Sequence, residues 1–596
     1  MDRKYFQICL LAIVFVGTII VIIVCFEAKY GIREKVVESP FWQTSVVYQV
    51  YPRSFYDGQP DETGDITGIT SKVDYLLELG VGAVWLSPVY TSPMKDFGYD
   101  VANFTEIDPI FGSMADFDDL VTTLHRKGLK LVMDFVPNHS SDQHEWFQRS
   151  VRCEDPYTDF YIWANSSGVD ANGTQIPPNN WLSVFRGSAW EWNDERQQFY
   201  FHQFLPEQPD LNYRNHLVRE EMKRVLTMWL DRHVDGFRIH ALKFLFEIED
   251  LSQNEPVATH SGVQDPDDYD YLNHTYTVDQ PETLTVVREW RQLLNQYPDR
   301  VMMVEVYNDD IDAVMKYYGN ETVPLADFPF NFFLIDNLQS RGDLTGESLR
   351  YTIDLWLDNM PEGKWPNWVT GNHDNGRVAS RLGRDLVDAL NMLTLLLPGT
   401  PVTYYGEELG MENTFISWDE TKDPEGCRWG PDLYQEHSRD PERTPMQWDN
   451  CTNAGFTTAN STWLPVNPNY KVLNVKAQTQ AETSHLKIYK ELAVLRRADT
   501  FSKGHIAFPV VTKEIFSFLR YLEGSEKYLL VINTSEEELE VNLHRHANLP
   551  LPSSAVVVLR SVTDTSEKTH PGSEVPLDKV PLVGGEGLLL NLQAED

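Results

Sequence analysis

The chain has 596 residues, 42% hydrophobic and 12% aromatic, which excludes a disordered protein and leaves room for one large α/β domain plus an appended module. A formal net charge of −39 makes the soluble part repel nucleic acid and anionic lipid headgroups, while neutral ligands suffer no such penalty. Five cysteines are too few for a disulfide scaffold, and none sits in a CxxC or Cys/His cluster of zinc-binding type.

Residues 6–26 carry no charge and are rich in Ile, Val and Leu. A helix of that length crosses a hydrocarbon core of roughly 30 Å. A small-residue cleavage site is missing, so the segment is predicted to be an uncleaved transmembrane helix, with 1–5 as cytoplasmic tail and 27–41 as linker. Arg3 and Lys4 on one side balance Lys29, Arg33 and Lys35 on the other, so charge alone does not orient it. Asn-x-Ser/Thr sequons at Asn103, Asn138, Asn165, Asn172, Asn273, Asn320, Asn450, Asn460 and Asn533 favour an extracellular or lumenal body. A single-pass plasma-membrane protein is expected, with secretion as the alternative. Cys9 and Cys25 lie in the apolar segment; of Cys153, Cys427 and Cys451, the last two are a candidate bridge that sequence does not establish.

Short apolar runs follow at 46–55, 81–89, 129–136, 234–241, 301–307, 326–332, 368–372 and 402–405, separated by helix-like stretches such as 217–233 and 385–397. Eight continuous runs alternating with helices predict strands buried on both faces of a parallel sheet, and eight close a (β/α)8 TIM barrel. The rhythm breaks at 140–210, where Pro177-Pro178-Asn179-Asn180-Trp181 and many aromatics predict an inserted domain after strand three. The barrel then spans 42–139 and 211–499. From 500 to 596 the pattern changes to antiparallel strands at Ile515–Tyr521, Lys527–Asn533 and 555–559, a separate C-terminal β domain.

Catalytic groups of such barrels stand at the C-terminal ends of strands. There the runs end in Asp134-Phe135-Val136-Pro137-Asn138-His139, Arg238-Ile239-His240, Glu305-Val306-Tyr307 and Asn372-His373-Asp374. One strand-terminal Asp often only caps a helix. Carboxylates and histidines converging from four strands point to a site.

These residues also carry a likeness. DFVPNHS, DGFRIHA, VEVYND and TGNHDN, with GYDVANFTEIDPIFG, PPNNWLSVFRGSAWEW and SRDPERTPMQWD, resemble the maltase-type α-glucosidases of the α-amylase clan (glycoside hydrolase family 13), in particular insect maltases and membrane-bound sucrose hydrolases. The likeness runs from Trp42 to the end and implies the same barrel, insert and C-terminal domain. It also implies retaining hydrolysis of α-glucosides such as maltose or sucrose, with a nucleophile and an acid/base. Carried over by motif, Glu305 is the acid/base and Asp374 stabilises the transition state. Arg238 holds the nucleophile's geometry, and Asp100, His139, His373 and Arg439 bind the non-reducing glucose.

The nucleophile falls on His240, where the family has a carboxylate. An imidazole beside Arg238 does not readily form the glycosyl ester or offset oxocarbenium charge. Removing the nucleophile of a serine protease costs roughly 10⁶ in turnover. Hydrolysis is therefore expected to be impaired or lost. Ala241 is small, as in relatives that cleave α-1,4 or sucrose bonds. The family also implies a structural Ca²⁺ in the loop after strand one, through Asp57, Gln59, Asp61, the Thr63 backbone and Asp65, an oxygen-only set suited to calcium.

Two other classes compete. Amino-acid transporter heavy chains resemble the same family and link to a transporter light chain through a cysteine outside the membrane helix, a position Cys25 approaches. A surface receptor for glycans or a toxin is the third. The retained Glu305, Asp374, His139, His373 and Arg238 weigh against a pure scaffold.

Overall fold

The eight apolar runs form eight parallel strands: β1 (Val47–Val50), β2 (Ala83–Leu86), β3 (Lys130–Phe135), β4 (Gly236–Ile239), β5 (Val301–Val304), β6 (Phe328–Pro329), β7 (Asn367–Val369) and β8 (Thr400–Tyr404). The computed structural model describes residues 39–562 and 570–592. The predicted membrane segment 6–26 and tail 1–5 lie outside them, as does most of the 27–41 linker; among the described residues no helix is long and apolar enough to cross a membrane. Everything below belongs to one unit that starts at Phe41.

The strand order is β6-β5-β4-β3-β2-β1-β8-β7, each paired with its sequence neighbour or, for β1 and β8, across the ring. Nearly every strand residue is buried, because helices cover the outside and side chains fill the inside. The β6/β7 seam is bridged by a side chain. Asn367 donates from Nδ2 to Pro329 O at 2.7 Å and accepts from Asn331 N at 2.9 Å, satisfying two buried backbone groups that no ladder serves. Gly236 opens β4 because a Cβ there would stand 2.3 Å from Val301 O.

The outer helices follow from amphipathic spacing. Met114–Arg126 buries Phe117, Leu120, Val121 and Leu124 on one stripe. It starts at a capping box, in which Ser113 and Asp116 each accept the other's backbone N–H. The predicted helices 217–233 and 385–397 fall at His216–Asp231 and Val387–Leu396. The first apolar run ends early as a strand. Pro52 removes a ladder donor and opens a one-turn helix, Pro52–Phe55.

Between β3 and β4 the insert makes a small antiparallel sheet from Trp163–Ala164, Gln198–Phe201 and Trp190–Asn193. Its core holds Trp181, Trp190, Phe199 and Phe201. A β-bridge between His139 and Asp210 ties its two ends together. The C-terminal six-stranded sheet runs antiparallel, with Ile515–Tyr521, Lys527–Asn533, Gly587–Leu592 and Ser554–Arg560 as its successive central strands. Ser554–Arg560 alternates buried and half-buried residues, as a sheet with one covered face requires.

The cysteine expectation is corrected here. Cys153, Cys427 and Cys451 are all exposed and free, so Cys427 and Cys451 form no bridge. Cys9 and Cys25 lie outside the described residues.

Candidate active site

The C-terminal ends of the barrel strands and the insert enclose a cavity of about 280 Å³. Among the residues that line it are Asp96, Tyr99, Phe204, His240, Glu305, His373, Asp374 and Arg439. Its floor is organised by Arg238, whose register opposite Asp134 is set by the parallel β3–β4 ladder. The guanidinium is 2% exposed and donates from NH1 to both Asp134 oxygens at 2.8 and 2.9 Å. NH2 meets Glu305 Oε1 at 2.8 Å. Burial disfavours the Arg238 charge, but Asp134 and Glu305 outweigh it and keep the group protonated.

His240 stands just beyond β4. Its Nδ1 lies 2.8 Å from Glu305 Oε2 and 3.3 Å from Arg238 NH1. A ring nitrogen that close to a carboxylate carries a proton, so Nδ1–H donates to Glu305 and Nε2 is the ring nitrogen left over. Ala241 follows in the left-handed region at φ 52°, which aims its N–H at Glu305 Oε2 at 2.7 Å. Glu305 thus receives three donors. Burial raises its pKa, yet Arg238 and His240 outweigh burial and hold it down at about 2.

Asp374 is clamped from the other side. Its Oδ1 accepts from Arg443 NH2 at 2.8 Å and Arg439 NH1 at 3.3 Å. Burial again pushes upward, and the Arg443 and Arg439 guanidiniums hold the carboxyl well below its ordinary range. His373 is fixed by Gln49 Nε2 at 2.8 Å and Tyr99 Oη at 2.5 Å, and burial drives it down to about 3, so it is neutral.

Of the residues singled out by sequence, Glu305, His240, Asp374, His373 and Arg439 line the cavity together. Arg238 and His139 are buried directly behind it, and the His139 ring stands 5.9 Å from that of His240. Asp100 does not reach the cavity. It is fully buried, and its oxygens accept from Ser92 Oγ, Asp96 N and Lys95 N at 2.8–3.0 Å. It holds the loop that presents Asp96, and Asp96 is the residue that faces inward, paired with Arg439 NH2 at 3.1 Å and Gln208 Nε2 at 3.1 Å. Asp96, Tyr99 and Arg443 were missed as site residues, although two of them stand inside motifs already noticed, and Asp134 was noticed at its strand end but given no role. Only the turn of each loop tells which acid faces the pocket.

The proposed calcium loop folds on itself. Asp65 accepts from Gly58 N, Gln59 N, Thr67 Oγ1 and Gly68 N, and Asp57 Oδ2 accepts from Asp61 N, Glu62 N and Thr457 Oγ1. Asp61 Oδ1 accepts from Thr63 N. Asp57 Oδ1 is buried without a donor, and burial, with Asp61 and Asp65 adding, raises its pKa. That oxygen fits a cation. Even so, among the described residues no three His, Cys, Asp or Glu side chains gather as a metal cluster.

A (β/α)8 barrel with paired carboxyls at its C-terminal rim and a C-terminal β domain defines an α-amylase-type scaffold. The sequence matches the alpha amylase catalytic domain over residues 49–504, and the chain belongs to that family, among its maltases and α-glucosidases. Maltase 1 of Drosophila virilis is 46% identical over 563 residues, 93% of this chain and 87% of that protein. The amino acid transporter heavy chain SLC3A1 of Rattus norvegicus is 42% identical over 559 residues, 92% of this chain and 78% of that one. Among solved structures, the alpha-glucosyl transfer enzyme XgtA superposes with a TM-score of 0.81 at 33% identity, covering 93% of this chain and all of that one.

A pH dependence follows from Glu305. Its folded pKa lies below the unfolded value, so its contribution to stability is present above the unfolded pKa and is lost as pH falls towards about 2. Glu305→Gln removes that linkage. The stability gap between wild type and variant, from urea unfolding, is expected to narrow by about 2 kcal/mol between about pH 6 and about pH 3. A gap independent of pH would refute the ionised Glu305.

Proposed function

We propose that this chain is an α-glucosidase-family protein that binds α-glucosides such as maltose or sucrose in its barrel pocket but is strongly impaired in hydrolysing them. The observation that carries this is the 2.8 Å contact between His240 Nδ1 and Glu305 Oε2. A retaining site keeps its two carboxyls about 5–5.5 Å apart, so that one attacks and the other protonates. Here the imidazole closes that gap. It offers no anion to form the ester, and it helps hold Glu305 ionised, which removes the proton the leaving oxygen needs. Both halves of the reaction are weakened by one residue. Removing Nδ1–H and restoring a carboxylate repairs both. His240→Asp is expected to raise kcat/KM on a chromogenic α-glucoside by at least about 10³, part of the roughly 10⁶ that a nucleophile contributes. Equal activity in the two proteins would sink the reading.

The Asp57–Asp65 loop enters the same proposal as a structural calcium site, supported by the donorless Asp57 Oδ1. Calcium chloride added to EDTA-treated protein should raise Tm by several degrees; an unchanged Tm rejects it.

The 42% identity to a transporter heavy chain favours a second reading, an accessory subunit at the plasma membrane, anchored by residues 6–26 with the barrel outside. On that reading alkaline extraction leaves the native protein in the membrane fraction, and a non-reducing gel shows a larger species that Cys25→Ser abolishes. A monomer-sized band alone rejects the linked partner.

A further inference from the structure

The charge developing at the anomeric carbon of a retaining site lies between two carboxyls. In this chain those positions hold Glu305 and His240, and Glu305 has no free oxygen. Oε1 pairs with Arg238, and Oε2 accepts from both His240 and Ala241 N. Beside them Lys243 lines the same cavity and donates from Nζ to Tyr307 O at 2.8 Å. Across the cavity Asp374 and Asp96 are both held by Arg439, and Asp374 by Arg443 as well. Both oxygens of Glu305 are thus engaged by Arg238 and two N–H donors, and the group that would have stood beside it as a second anion is an imidazole.

We propose that the pocket accepts neutral glucose-configured ligands and rejects those carrying a positive charge at the anomeric end or in the ring, the basic imino sugars, and that His240 sets this selectivity. A carboxylate at 240 would attract such a cation, whereas the His240 imidazole supplies no anion there, Glu305 is already engaged, and Arg238 and Lys243 on the same side of the cavity meet the cation with like charge. The proposal rests on the sugar-binding reading above and adds the ligand's charge class.

The test uses the full-length chain in detergent, titrated calorimetrically with methyl α-D-glucoside and with the protonated imino sugar 1-deoxynojirimycin. The wild-type chain should bind the imino sugar at least about tenfold more weakly than the neutral glucoside, a difference of about 1.4 kcal/mol. His240→Asp should reverse that order. His240→Gln, neutral and similar in reach, should keep the wild-type order, with thermal unfolding recorded to show that each variant is folded. Equal or tighter binding of the imino sugar by the wild-type chain overturns the proposal, and so does reversal by His240→Gln, which would make size the cause. If the wild-type chain takes neither ligand, the sugar-binding reading itself falls, and this inference with it.

Discussion

A guanidinium buried between two carboxylates governs the rest of the molecule's chemistry. Arg238 is 2% exposed, and taking its charge out of water is tolerable only because Asp134 and Glu305 face it at hydrogen-bond distance. The three residues come from adjacent parallel strands, and the register that sets Arg238 beside Asp134 also carries Glu305 N onto Ile239 O at 2.9 Å. The barrel wall and the catalytic floor are therefore one object. A slip of one residue in β4 would send Arg238 to the opposite face and leave two buried carboxylates unpaired.

Position 240 inherits its surroundings from that arrangement. The residue there meets Arg238, Glu305, the Tyr99 ring at 4.5 Å and the Phe204 ring at 5.8 Å. An imidazole suits these neighbours well, with a donor for Glu305 and ring faces for Tyr99 and Phe204. On the function proposed above, the residue that fits the resting site is not the anion that the family's reaction calls for, so stability and turnover would be served by different residues at this one place.

Tyr99 shows how local the remaining preorganisation is. Its hydroxyl reaches His373 Nε2 and Asp134 Oδ2, and its ring stacks on His373 at 10°. Its backbone oxygen meets His139 Nε2 at 3.1 Å. One residue thus orients His373 and the acid behind Arg238 through its side chain and His139 through its backbone. Nothing in the run Gly98-Tyr99-Asp100 marks the tyrosine rather than the aspartate as the hub, and Asp100 was carried over from the family motif. The apolar runs revealed eight strands and their order, since burial on both faces leaves a continuous hydrophobic trace. They overstated strand length: 46–55 turns at Pro52 into a short helix whose Phe55 packs edge-on against Trp448, and 301–307 continues past Val304 into a loop where Tyr307 stacks on Phe332.

By itself the sequence determined the barrel, the insert, the C-terminal sheet and the presence of histidine at 240, because periodicity and residue identity are properties of the chain read in order. Which acids face the cavity, and that His240 is bonded to Glu305 instead of standing apart from it, was decided only in three dimensions. The reason is physical: the direction of a side chain at the end of a strand depends on the next residue's backbone angles, such as the left-handed turn at Ala241. The protonation of Glu305 depends on charges delivered by other strands.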